Sequence, residues 1–238
     1  MREIWIIARR EFGSFFDSLV AYILLIAFLG FTGFFTWLSV ADIFFRKQAD
    51  LQVFFNVGMW TLFIFIPAIT MKQLAEEKKS GTIELLLTKS VTDRQLVLGK
   101  FLACFLLVCS ALILTIPYYI TVANIGNIDH GATLSGYFGL LLMSAAYIGI
   151  GLFASSLTNN QIVALLLALL IGIFFQFLFN AIGSNFTGWL GALISGLSVT
   201  DHFESVTRGV IDTKDIIFFL SLTVIGILFA ELMISKRT

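Results

Sequence analysis

The sequence predicts an all-α polytopic membrane protein with six transmembrane helices, and three observations carry that prediction. Only 13 % of the 238 residues are charged while 58 % are apolar. That is about half the charged share of an ordinary soluble domain, too little polar cover for a sphere in water. Six apolar windows are long enough to cross the hydrocarbon core as helices. The basic residues also divide unevenly between alternate connecting segments. This composition excludes a soluble enzyme, a disordered chain and a nucleic-acid binder. The length suits one membrane unit, 1–238, with no separate soluble domain.

The first element, 1–18, predicts an amphipathic helix. At about 100° per residue, Ile4, Trp5, Ala8, Phe12, Phe15, Phe16 and Leu19 fill one arc, opposite Arg2, Glu3, Arg9, Arg10, Glu11 and Asp17. Ile6 and Ile7 are the exceptions. An aromatic arc favours a helix lying in the headgroup plane over a cytosolic extension of the first span. The spans follow at 19–40, 51–71, 101–122, 137–157, 162–182 and 216–234. Pro67 and Pro117, the two prolines, fall inside spans and predict kinks. Cys104 and Cys109 sit in one apolar run as small packing residues, and no cleaved signal peptide is expected.

Sidedness follows from the basic residues. With the N-terminus inside, cytoplasmic segments hold Arg2, Arg9, Arg10, Lys72, Lys78, Lys79, Lys89, Arg94, Lys100, Lys236 and Arg237. External segments hold only Arg46, Lys47, Arg208 and Lys214. The imbalance orients both termini to the cytoplasm.

Segment 72–100 is the sizeable polar stretch inside. Its first residues are helix formers that extend the second span, until Ser80-Gly81 breaks it. Thr82-Ile83-Glu84-Leu85-Leu86-Leu87 follows, apolar where a solvated loop should be polar. Thr92-Asp93-Arg94-Gln95 then predicts a capping box for the third span. The leucines need burial, and two partners suit them: the membrane face, or a groove on another protein.

These residues resemble a known family. Glu76-Glu77-Lys78-Lys79-Ser80-Gly81-Thr82-Ile83-Glu84-Leu85-Leu86-Leu87-Thr88, with Leu98-Gly99-Lys100-Phe101, is similar to the cytoplasmic-loop signature of ABC-2 type transporter permeases. Ile150 to Leu157 with Asn160-Gln161, and His202-Phe203 with Thr207 to Asp215, resemble the gliding-motility-associated permease subunits of Bacteroidetes within that family. The resemblance implies a bacterial inner-membrane permease subunit, driven by a separate ATP-binding-cassette subunit that holds ATP and magnesium, beside a second permease copy or related subunit. It implies a coupling helix docked on that ATPase at Glu76, Glu77, Gly81, Thr82, Ile83, Glu84, Leu85, Leu86, Leu87 and Thr88.

Two amide pairs stand at helical i,i+4 spacing, Gln52 with Asn56 and Gln176 with Asn180. Opposite span directions put both pairs in the outer half of the membrane. Such groups must find partners or face water. They either bond between helices of one subunit or line a central pathway, which the resemblance puts around the second and fifth spans. In the latter reading Phe54, Phe55, Phe175 and Phe179 are apolar plugs. In 183–215, glycines alternate with apolar residues, which suits an external re-entrant hairpin shielded by protein, or a ragged end of the fifth span. Asp215 is placed to cap the last helix. His130 and His202 suggest no metal site, and Glu231 lies within reach of water or Lys236.

No GxxxxGK[ST], HExxH or GxSxG motif occurs. The chain is therefore expected to catalyse nothing and to bind no cofactor, taking its energy from a partner. The rival from another class is a membrane scaffold that passes ATPase-driven motion to an envelope machine. A secondary carrier would need buried coupling charges or inverted repeats, and neither is evident.

Overall fold

The computed structural model describes residues 2–39, 48–81, 92–186 and 188–236. Among these residues every regular element is helical and none is a strand. Helix α1 (Arg2–Asp17) stops at Ser18, whose hydroxyl oxygen accepts from the Val20 amide at 3.4 Å and starts α2 (Leu19–Trp37), span 1. Span 2 is α3 (Gln52–Ser80), and span 3 is α4 (Asp93–Ile113) with α5 (Ile116–Ile125). Span 4 is α6 (His130–Ser156). Span 5 is α7 (Gln161–Ile173), a π-helical turn at Phe174–Leu178 and α8 (Phe179–Gly183). Two short helices follow, α9 (Trp189–Ser195) and α10 (Val199–Thr207), and span 6 is α11 (Thr213–Ser235). All six spans are long and apolar enough to cross a membrane. The protein is a multi-pass, all-α membrane protein, as its composition predicts.

Burial ranks the spans. In span 4 the most apolar stretch is 83 % buried, against 22 % in spans 5 and 6, so span 4 is the central pillar. Close helix contact in lipid needs small residues that let backbones approach, and span 4 supplies them. Its Gly149 meets Gly226 of span 6 backbone to backbone: a Cβ on Gly226 would stand 2.5 Å from the Gly149 carbonyl carbon. Span 3 does the same for α1, since a Cβ on Gly99 would lie 2.6 Å from the Ile7 side chain. Ile7, an exception to the amphipathic arc, is thus a buried anchor of α1, while Trp5 of the apolar arc stays exposed.

The two prolines behave differently. Pro117 follows a break at Leu114 and Thr115, because it has no N–H to continue the ladder. The Thr115 hydroxyl bonds the Leu112 carbonyl at 2.7 Å and sits 3.1 Å from the Tyr137 hydroxyl. Pro67 leaves span 2 continuous. One expectation is corrected: the last helix is capped by Asp212, not Asp215. The Lys214 amide donates to Asp212 at 3.1 Å. That bond, helped by the Lys214 ammonium, holds the Asp212 carboxyl below the usual carboxylate range.

Two faces result. The proximal face carries α1, the end of span 2 and the start of span 3. The distal face carries the start of span 2 and the pair α9–α10, which folds back over the ends of spans 4, 5 and 6.

Candidate functional site

On the proximal face, span 2 stands beyond its apolar window as a stem from Lys72 to Ser80. Gly81 ends it with φ 69°, a left-handed conformation that glycine adopts without a Cβ penalty. The chain re-enters at Thr92 through a complete capping box. The Gln95 amide donates to the Thr92 hydroxyl at 3.3 Å, and the Thr92 amide donates to Gln95 Oε1 at 3.0 Å. Of the predicted coupling residues, Glu76, Glu77 and Gly81 belong to the stem and its cap. Thr82, Ile83, Glu84, Leu85, Leu86, Leu87 and Thr88 lie outside the described residues.

The stem is held on two sides. Lys100 of span 3 is 1 % exposed. Its ammonium lies 2.7 Å from Glu77 Oε1 and 3.6 Å from Glu11 Oε2 of α1. A buried ammonium is costly unless it is paired, so these carboxylates are what let the lysine sit there. On the other side the Ser155 hydroxyl of span 4 accepts from the Leu74 and Ala75 amides at 3.1 and 3.0 Å and donates to the Met71 carbonyl at 3.0 Å. The Lys78 ammonium donates to the Ser156 carbonyl. A cavity of about 380 Å³ opens between α1 and the stem, lined by Glu11, Phe15, Lys72, Gln73, Glu76 and Lys100 among others.

On the distal face the two amide pairs converge on α10. Gln52 Nε2 donates to the Thr207 carbonyl at 3.3 Å, and Asn180 Nδ2 donates to the Asp201 carboxylate. Gln176 is 1 % exposed and inside the subunit. Its Oε1 accepts from the Tyr147 hydroxyl of span 4, and its Nε2 is buried with no hydrogen-bond partner among the described residues. Gln176 sits in the π-helical turn, where the wider register frees backbone groups. The Thr200 hydroxyl of α10 donates to its carbonyl at 2.8 Å.

Asn56 is exposed. With Gln52, Phe55, Phe203, Glu204 and Arg208 it lines a cavity of about 180 Å³. Phe54 and Phe55 are buried against Tyr137, at centroid distances of 5.5 Å for each. Phe175 and Phe179 stay half-exposed and meet edge to face at 5.3 Å.

Sequence reasoning missed what α10 itself brings. His202 is buried, with Nδ1 2.6 Å from Asp215 Oδ1 of span 6 and Nε2 2.9 Å from the Gly196 carbonyl. Its ring stacks on Phe218 at 4.2 Å. The available signal was an acid at the mouth of an apolar span, which reads as a cap until its partner is known. Among the described residues no three of His, Cys, Asp and Glu form a set able to hold a metal ion.

Six apolar helices with their polar groups gathered at the two faces define a polytopic membrane domain. Residues 46–234, from the start of span 2 to the end of span 6, match the family described as ABC-2 family transporter protein, and the chain belongs to that family. It is a permease subunit of an ABC transporter. Such subunits are generally non-catalytic and normally work with an ATP-binding-cassette subunit. No curated protein matches the chain.

Proposed function

We propose that this permease subunit serves an ATP-driven exporter of the ABC-2 type, coupled through 72–100 to a separate ATPase that carries ATP and magnesium. The proximal face is then cytoplasmic and the membrane is the bacterial inner membrane, with both termini inside, a reading the basic residues support. A second permease copy or a related subunit completes the assembly. The resemblance of His202-Phe203 and Thr207 to Asp215 points to a role in gliding motility.

The observation that carries the coupling reading is the stem. Thr82–Thr88 follows in sequence directly after a helix that is joined to α1 and span 3 by Lys100 and to span 4 by Ser155. A push on that segment reaches three spans at once through groups that cannot give without breaking buried bonds. At the other end Gln52, Asn56, Phe175, Phe179 and Asn180 line the outer part of the pathway, backed from inside by Phe54, Phe55 and Gln176.

The test is Glu84→Arg, inserted at the wild-type level and coexpressed with an ATP-binding-cassette subunit that copurifies with the wild-type chain. Reversing one interface charge should cut ATPase copurification or transport-linked ATP turnover about tenfold or more. Wild-type copurification and turnover would overturn the coupling reading. Export that is unchanged in Asn56→Leu would overturn the pathway reading.

A further inference from the structure

We propose that His202, Asp215 and the Gly196 carbonyl form a proton-binding clasp that holds the α9–α10 hairpin onto span 6. It rests on the hairpin's own geometry and not on the transport reading above.

Both ring nitrogens of His202 face acceptors. Nδ1 lies 2.6 Å from Asp215 Oδ1, and Nε2 lies 2.9 Å from the Gly196 carbonyl at the end of α9. A carbonyl only accepts, so Nε2 must carry a proton. A carboxylate also only accepts, so the Nδ1···Oδ1 bridge needs a second proton. Whichever atom of that bridge holds it, the His202–Asp215 pair contains two protons when the clasp is closed. A neutral imidazole facing a carboxylate has one. Losing the other sets a nitrogen lone pair against an oxygen at one of the two contacts.

The surroundings make that second proton matter. Asp215 is fully buried, and its Oδ2 has no hydrogen-bond partner among the described residues. Among the described residues no other cation pairs with it. Lys214, next to it in sequence, turns to Asp212 at 3.3 Å. On α10 itself Asp201 is held by Asn180, and Glu204 pairs with Arg208 at 3.0 Å. Helix α9 carries no acid or base. The titratable residues of span 4 are His130, which meets the Tyr119 hydroxyl at 2.7 Å, Tyr137 and Tyr147. The His202 ring is also held in place by its stack on Phe218 at 4.2 Å. The clasp joins α9, α10 and span 6 through one side chain, so its proton governs whether the hairpin stays folded over the distal end.

The test uses the full chain in detergent, where both faces share one pH. Cys104 and Cys109 are replaced by Ala, and spin labels are attached at Leu193→Cys on α9 and Leu220→Cys on span 6, both exposed positions. Distances are read by pulsed electron resonance at about pH 5.5 and about pH 9. The wild-type background should give one narrow distance on the acid side. A second, longer distance should gain weight roughly tenfold on the alkaline side, as one charge-assisted bond is lost.

Asp215→Asn is the discriminating variant. Its amide can donate to the unprotonated Nδ1 of a neutral His202, so the distance should stay narrow at both pH values. His202→Phe keeps the stacking but makes neither bond, and should give the long component at both. A wild-type distance unchanged with pH overturns the proposal. So does an Asp215→Asn variant that follows the wild-type profile, or one that is open at both pH values.

Discussion

The two faces of the molecule both place charge under protein cover, and they do it in opposite ways. On the proximal face Lys100 is sealed, yet its partners Glu11 and Glu77 keep 15 % and 17 % of their side chains exposed. That cluster is a buried cation with a wet rim. On the distal face Asp215 is fully buried and His202 keeps only 10 % of its side chain exposed, so the carboxylate has no water to fall back on. The difference decides how each end responds to damage. A wet rim can rehydrate a stranded carboxylate, whereas a sealed pair can respond only by shedding a proton or by opening.

The largest effect that would sharpen this contrast is expected from Glu77→Leu. It leaves the buried Lys100 ammonium with Glu11 alone, and removing one partner of a buried pair costs about 3 kcal/mol or more. The thermal midpoint of the detergent-solubilised protein should fall clearly, and an unchanged midpoint would break the comparison. Lys100→Met is expected to cost less, about 2 kcal/mol, because the Glu11 and Glu77 side chains it strands are partly exposed. The double variant should recover most of the Glu77→Leu loss, since an apolar replacement of both partners is often neutral. A double variant as unstable as the sum of the single ones would deny that the two residues interact.

Next in size is Thr200→Val on the distal face. It removes the donor to the Gln176 carbonyl in the π-helical turn, and the loss should be about 1–1.5 kcal/mol in the same melting assay. The smallest effect is expected from Arg208→Ala. Both ends of the Arg208–Glu204 pair are more than half exposed, so stability should shift by no more than about 0.5 kcal/mol. A large drop there would mean that the distal rim carries load that the sealed pair was credited with.

The sequence exposes what is local. Apolar windows gave the spans, Ser80-Gly81 gave the end of the stem, and Thr92 with Gln95 gave a capping box, because each depends on residues within a few positions of one another. It hid what is distant. The ion pair of Lys100 with Glu77 and the bond of Gln176 to Tyr147 join residues on different helices, and no periodicity announces them. The third window opened at 101 because Lys100 counts as polar; the capping box at Thr92 already put the helix start ahead of it, and what stayed hidden is that the lysine is buried against its carboxylates. The same habit misread the last cap. An apolar window starting at 216 drew attention to Asp215, while Thr213 and Lys214 were already helical behind Asp212. The amide pairs stood out by spacing, but their meeting point on α10 required the fold.

The contact of Gly149 with Gly226 also sets the kinematics of the whole chain. A slide of one helical turn along that seam would bring Ala145 or Phe153, or Leu222 or Ala230, into a gap that has no room for a Cβ. Spans 4 and 6 are therefore geared together as a keel, free to tilt as one body and barred from slipping past each other. Any stroke delivered at one face must swing the other helices about that keel.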